Sequence, residues 1–256
     1  LLESVKLDEQ SIALDAGASA LPMAAALVSL AKRRGVDVKA LRVAFNADPL
    51  GTLASEGQLE DSLDSSLADM VQLARWTQEH APDSTAVLVS GIPYHDAGAD
   101  AAEELGITLA TGVLYLRALC DEGMSLNEAA SQITFSFSVG RDVFVEIAKL
   151  RAARKLWSRV LEASGADSDA PAMRIHARTS ARTKSVRDPW VNMLRTTAET
   201  FAAAVGGADS IASSPLDEAV GASDSFSRRV ARNTQVMLQR ESSLHRVVDP
   251  AGGSWY

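Results

Sequence analysis

Apolar positions along the chain alternate between two rhythms. Short β-rich runs at Ser11 to Leu14, Arg42 to Asn46, Thr85 to Val89, Ile133 to Val139, Met173 to Ala177 and Ser210 to Ser213 predict strands. Between them lie longer stretches with three-and-four spacing. The first runs through Leu21, Ala24, Leu27, Val28 and Ala31 and is closed by Gly35, and the second through Leu59, Leu63, Leu67, Met70, Val71 and Ala74. The third carries Ala102, Leu105, Leu109, Val113, Leu116 and Leu119, with Gly106 and Gly112 lowering its propensity unless close packing requires them. Val143, Phe144, Ile147, Leu150, Trp157 and Leu161 mark a fourth. Asp188-Pro189 predicts a helix start, Asp as the cap and Pro in the first turn, with Trp190, Leu194, Ala198, Phe201 and Val205 as the buried face. A last helix runs through Phe226, Val230, Thr234 and Met237.

Strands alternating with crossover helices predict an α/β fold with a parallel sheet. The length of 256 residues suits one (β/α)8 TIM-type barrel spanning 1–256. About six β/α units are legible, so the expected barrel is incomplete: cut at both ends or completed by missing segments. Ser164 to Asp169 reads as a surface loop.

Composition narrows the function classes. With 46% hydrophobic and 23% charged residues the chain can bury a sizeable core. A net charge of -8 repels polyanions, which argues against nucleic acid or an anionic membrane as partner. The single cysteine, Cys120, cannot close an internal disulfide; it fits a reducing compartment and reads as a small core residue. No apolar run approaches the roughly 20 residues of a membrane span, and no signal peptide is visible. A cytoplasmic location is expected, although the sequence begins at Leu1 and a targeting segment could have been removed.

The strand faces carry the first chemical information. In Ile133 to Val139 the period of two sets Ile133, Phe135, Phe137 and Val139 against Thr134, Ser136 and Ser138. The apolar face must meet the helices, so the hydroxyls point to the barrel axis, where bulky branched residues are usual. Arg174, His176 and Arg178 form a cation-rich counterpart on the next strand. Three readings fit: space for a ligand, polar groups satisfying one another around buried water, or a solvent-facing edge strand.

Several motifs are missing. There is no H-E-x-x-H helix, no G-x-x-x-x-G-K-[ST] loop and no G-x-S-x-G elbow. His80, His95, His176 and His245 lack metal-site spacing, so no metal is expected. Tyr94-His95-Asp96 follows a strand end, where barrel chemistry sits, and reads either as a proton-exchanging group or as a polar turn. His176 suits a hydrogen-bond donor, a general acid or a structural histidine, and Glu218 a helix cap or a ligand contact. Arg228, Arg229 and Arg232 read as a solvated or interface face before an anion site.

Ordered motifs across nearly the entire chain then identify a family. They are Glu146-Ile147-Ala148-Lys149-Leu150-Arg151-Ala152, Asp188-Pro189, Leu216-Asp217-Glu218-Ala219, Ala231-Arg232-Asn233-Thr234-Gln235, and Asp249-Pro250 through Gly253-Ser254-Trp255-Tyr256. Together they resemble the methylmalonyl-CoA mutase family. The resemblance implies a β/α barrel threading coenzyme A along its axis, with Thr134, Ser136 and Ser138 as candidate lining. It also implies adenosylcobalamin-dependent radical isomerisation between methylmalonyl-CoA and succinyl-CoA.

The catalytic positions depart from the family's pattern. Its strand end S-G-Y-H-x-x-E-A-G-A becomes Ser90-Gly91-Ile92-Pro93-Tyr94-His95-Asp96-Ala97-Gly98-Ala99, so Pro93 takes the histidine's place and His95 stands two positions on. Q-N-D corresponds to Phe45-Asn46-Ala47, and two acyl-binding arginines become Ser55 and Gln132. Each lost cation removes a charge-assisted hydrogen bond worth on the order of 1.5 to 3 kcal/mol. On the cobalamin face H-x-Q-T-S-G is retained only as His176, Thr179 and Ser180, with Arg178 for glutamine and Ala181 for glycine. Glu218 matches a cofactor-contacting glutamate. His176 and Glu218 are thus candidate vestigial cofactor positions, and no catalytic residue is expected.

A retained frame with substituted chemistry resembles the small subunits that pair with a catalytic large subunit in bacterial members. Such a heterodimer implies a partner that holds acyl-CoA and adenosylcobalamin. An active mutase for another acyl-CoA, reshaped by Phe45 and Pro93, and an acyl-CoA-binding scaffold are the alternatives. The family's cobalamin domain motif D-x-H-x-x-G is missing from the sequence; that domain was excluded or lies beyond Tyr256.

Overall fold

A computed structural model of the chain describes residues 2–167 and 169–256. In chain order the elements are β1 (Ile12–Ala13), α1 (Ala20–Arg33), β2 (Val43–Ala47), α2 (Pro49–Glu56), α3 (Leu63–His80), β3 (Thr85–Ser90), α4 (Ile92–Ala97) and α5 (Ala101–Asp121). They continue with α6 (Leu126–Ser131), β4 (Ile133–Val139), α7 (Val143–Ala163), β5 (Arg174–Thr179), α8 (Asn192–Val205), β6 (Ser210–Ala212) and α9 (Ser225–Arg240). The strands lie in one parallel sheet in the order β1-β2-β3-β4-β5-β6. Sequential parallel order with intervening helices is that of a β/α barrel, of which six strands are present.

The chain divides into two compact units: Leu1–Ser90, Thr108–Phe135 and Ser158–Met173 form one, and Gly91–Ile107, Ser136–Trp157 and Arg174–Tyr256 the other. In the first, β1 pairs parallel with β2 and β2 with β3. Helix α1 buries Ala20, Ala24, Leu27, Val28 and Ala31, the face expected from its spacing, and Gly35, at φ 70°, closes it. The side chain of Ser84 receives the Val43 N–H and donates to the Leu41 carbonyl, closing the entry to β2. Phe45 is fully buried and meets Trp76 of α3 edge-on at 6.3 Å.

In the second unit β5 pairs parallel with β6, and Ser180 N–H donates to the Val139 carbonyl at the end of β4. Strand β4 therefore has neighbours on both sides in the sheet, which removes the edge-strand reading. Helices α7 and α8 approach closely where Gly206 ends α8: a Cβ there would lie 2.9 Å from Leu150 Cδ1. No helix among the described residues is long and apolar enough to cross a membrane.

Several local expectations are corrected. Short helices α2, α4 and α6 add to the expected elements, because Asp48-Pro49, Pro93 and the Ser125/Glu128 capping box each start a turn or two of helix. Leu59 lies outside α3, whose cap is Ser62. Gly106 has open space around it, so close packing does not explain it. Cys120 is half-buried rather than a core residue. Ser164 to Asp169 includes Ser168, which lies outside the described residues; the Ser164 N–H and hydroxyl bond back to Val160 at the end of α7.

The largest correction concerns α8. Asp188 makes no side-chain cap and takes a left-handed conformation, and Pro189–Val191 form a 3-10 turn before the helix. Trp190 and Leu194, expected inside, are exposed, while Asn192, Thr196, Glu199 and Thr200 are buried. The polar side faces inward because it has backbone and charge to satisfy. Asn192 bonds Ser185 through both amide atoms and donates to the Leu216 carbonyl. Thr196 donates to the Ser214 carbonyl, and Glu199 receives Lys184 and Thr183.

Candidate functional site

In the second unit, the chain leaving β3 turns at Gly91 into α4, with Pro93 in the first turn. Proline costs nothing there because the first amides of a helix have no intrahelical acceptor. The turn carries His95 inward: it is 8% exposed, and its Nε2 lies 2.7 Å from Ser180 Oγ beyond the end of β5. Its Nδ1 lies 3.5 Å from Glu104 Oε2 on α5. Tyr94 is half-buried and Asp96 exposed.

Glu104 belongs to a buried ionic cluster. Lys149 Nζ on α7 lies 2.6 Å from Glu104 and 2.7 Å from Glu146, and also donates to the Ser138 carbonyl at 2.6 Å. The other Glu104 oxygen receives the Ser138 N–H at 2.9 Å. Acid and base thus clamp both backbone groups of one residue at the end of β4. The side chains of Lys149 and Glu104 are 1% and 0% exposed, so the cluster is walled from water. Arg182 donates to the carbonyls of His95 and Ala99, holding α4 in place. A cavity of 410 Å³ opens beside this assembly, lined by His95, Gly140, Arg141, Glu146, Ser180 and Arg182 among others. Both ring nitrogens of His95 therefore face protein groups, an arrangement that positions loops more readily than it delivers a proton.

The other expected site residues are placed separately. His176 is half-buried on β5, with Nδ1 2.8 Å from Ser210 Oγ on β6. Arg178 pairs with Glu218 at 2.8 Å, so the carboxylate matching a cofactor contact is engaged by the cation that replaces glutamine. Ser136 and Ser138 are each 1% exposed, and Thr134 Oγ1 lies 3.3 Å from Thr85 Oγ1. Ser55 donates back to Gly51 and Thr52 of its own helix, and Gln132 to Gln78. Phe45 is buried against Trp76 of α3.

Arg178 and Glu218 are partly exposed, with side-chain accessibilities of 41% and 26%, and solvent screens such a pair. Arg178→Gln is accordingly expected to change unfolding free energy by less than about 1 kcal/mol. Chemical denaturation checks this, and a loss of several kcal/mol would make the arginine a structural requirement.

The first unit holds a second buried network that the sequence alone did not reveal. Asp48, just past β2, receives hydrogen bonds from Tyr115 Oη at 2.7 Å, Gly51 N at 2.9 Å and Ser90 N at 3.0 Å. Tyr115 Oη in turn accepts from Leu50 N. Burial pushes the Asp48 carboxyl up to about 6, partly offset by these donors, Tyr115 first. The aspartate borders a cavity of 440 Å³ with Thr52, Asp69, Met70 and Leu73. Legible hints to the buried groups existed: a lysine three residues after a glutamate within the apolar face of α7, and Asp-Pro directly after a strand.

Comparison with known proteins follows the same lines. The family model described as methylmalonyl-CoA mutase matches residues 1–256. A methylmalonyl-CoA mutase small subunit from Streptomyces virginiae is 49% identical over 255 residues, covering 100% of this chain and 41% of the relative. The corresponding small subunit of Propionibacterium freudenreichii subsp. shermanii is 40% identical over 260 residues, and covers 100% and 39%. A methylmalonyl-CoA mutase from Escherichia coli (strain K12) is 34% identical over 257 residues, covering 100% and 36%. The chain thus spans about two-fifths of the length of the relatives it matches. With the whole-length match added to the parallel β/α order, this chain belongs to the methylmalonyl-CoA mutase family.

Proposed function

We propose that this chain is the barrel part of the small, non-catalytic subunit of an adenosylcobalamin-dependent methylmalonyl-CoA mutase. It pairs with a catalytic large subunit that holds acyl-CoA and cofactor, and residues 1–256 belong to one mutase-type barrel domain of the longer subunit, six of whose strands they supply. The observation that carries this reading is the enclosure of His95. The imidazole nearest the family's catalytic position lies between Ser180 and Glu104 behind a proline-started helix. A histidine so held does not reach an acyl thioester.

The residues on the expected cofactor side do not fit a cobalamin held by this chain. Glu218 meets Arg178, and His176 meets Ser210, so the groups matching cofactor contacts are directed at protein partners. Thr134, Ser136 and Ser138 keep a polar strand face without the cations that anchor an acyl carboxylate. The two relatives named as small subunits support the partnership, and a single half-buried cysteine suits a reducing cytoplasm.

The full-length subunit, purified alone and with its large subunit, tests the proposal. Alone it is expected to neither bind adenosylcobalamin, read by absorbance titration, nor interconvert methylmalonyl-CoA and succinyl-CoA. The pair is expected to do both. Turnover by this subunit alone would overturn the reading, and turnover on another acyl-CoA would replace it with an altered specificity.

A further inference from the structure

The cavity of 410 Å³ beside His95 lies within the second unit, and the proposed pairing makes no use of it. Its walls come from the segments that follow β3, β4 and β5 and from the first turn of α8. Each of those strands has a sheet neighbour on both sides, so none of the walls stands at a free edge of the sheet. The back of the cavity is firmly built. His95 is 8% and Ser180 0% exposed, and the two side chains meet at 2.7 Å.

Three arginines line this space: Arg141 from the turn after β4, Arg182 from the turn after β5 and Arg195 from α8. Three carboxylates line it as well, and each is already committed. Glu146 lies 2.7 Å from Lys149 Nζ, Asp100 receives the Ala102 and Glu103 amides at the start of α5, and Asp142 receives the Val145 amide at the start of α7. The arginines are not committed to acids. Arg182 donates to the His95 and Ala99 carbonyls and Arg195 to the Asn192 amide oxygen, and among the described residues none of the three makes an ion pair. A guanidinium has five N–H donors, so these bonds leave donors to spare.

Uncompensated cations around a concave space focus a positive potential into it, which selects an anion. Guanidinium groups supplied by three separate elements suit a tetrahedral oxyanion, whose oxygens spread in several directions, better than a planar carboxylate, which one fork satisfies. The first turns of α5 and α7, each a helix of 21 residues, reach the wall at Ala101 and Val145 and add the positive ends of their dipoles. The space is larger than a bare phosphate ion needs and falls in the size range of small-molecule sites.

We propose that this cavity binds an organic phosphate, with the phosphoryl group held by Arg141, Arg182 and Arg195. The inference stands independently of the proposed pairing. Because Arg182 also fixes the carbonyls of His95 and Ala99, a bound phosphoryl group ties α4 to α8 and stabilises the fold.

Isothermal titration of inorganic phosphate and of phenyl phosphate into the full-length subunit, at constant ionic strength, tests the proposal. Saturable binding is expected, tighter for the ester, together with a rise in melting temperature as phosphate is added. Arg141→Gln and Arg195→Gln should each weaken binding at least about tenfold, since each removes a charge-assisted contact. Arg33→Gln, which changes an exposed arginine of α1 in the other unit, should alter it by less than about twofold. Arg141 is exposed, so its variant keeps the ligand-free melting temperature and reports on binding even if Arg195→Gln misfolds. No saturable binding to the wild-type subunit, unchanged affinity in Arg141→Gln, or an equal loss in Arg33→Gln overturns the site. Equal affinity for succinate overturns the phosphate assignment and makes the cavity a carboxylate site.

Discussion

Lys149→Met is expected to remove about 3–5 kcal/mol of stability, because it leaves two carboxylates buried without their cation. Glu104 and Glu146 both lie within 2.7 Å of the ammonium, and Glu104, fully enclosed, cannot rehydrate where it stands. A domain of ordinary stability has roughly 5–15 kcal/mol in total, so the variant should populate the unfolded state measurably at room temperature. The Ser138 carbonyl loses its donor in the same change, which loosens the end of β4. Adding Glu104→Gln to Lys149→Met should recover part of the loss, since one uncompensated charge is then gone. Denaturant unfolding of the two variants and the wild type checks both statements. A single-variant loss below about 1 kcal/mol would mean that water or a rearranged partner replaces the lysine.

Asp48 is expected to give the folded protein a pH dependence opposite to that of a salt-bridged carboxylate. Its ordinary value is 3.8, and burial raises the folded value to about 6. Between those two values the folded state keeps a proton that the unfolded state has released. The associated stability is therefore present below the unfolded value and is lost as pH rises through the folded one, amounting to about 3 kcal/mol. Asp48→Asn removes the titration but places an amide where Tyr115, Gly51 and Ser90 all donate. The variant should be less stable than wild type at pH 4, and the gap should narrow toward pH 7. Unfolding free energies measured across that range decide the point; a constant gap would mean that the carboxyl titrates normally.

Periodicity in the sequence located the strands and long helices because each element repeats one simple demand, an apolar face of fixed spacing. The run Ile133 to Val139 coincides with β4 residue for residue, and its four large side chains are all buried. Pattern was least informative where short polar contacts decide the fold. In α8 the apolar stripe Trp190 and Leu194 looked like a core face, yet Asn192, Thr196 and Glu199 go inward to satisfy the chain following β5 and β6. Those partners are 7 to 24 residues away in sequence, and no local rule joins them.

The same division holds for the site. Pro93, Ser55 and Gln132 were readable as departures from the family's pattern, since a substituted side chain changes its chemistry wherever it sits. That His95 meets Ser180 and Glu104, that Arg178 closes on Glu218, and that Lys149 unites Glu104 with Glu146 was not readable. Each depends on groups from different strands and helices meeting at a few ångströms. By itself the sequence determined the parallel β/α order and the departures from the family's catalytic pattern, because periodicity and residue identity are local properties. Only the tertiary structure decided which polar groups are enclosed and which apolar ones stay exposed, because burial is settled by what the rest of the chain brings alongside.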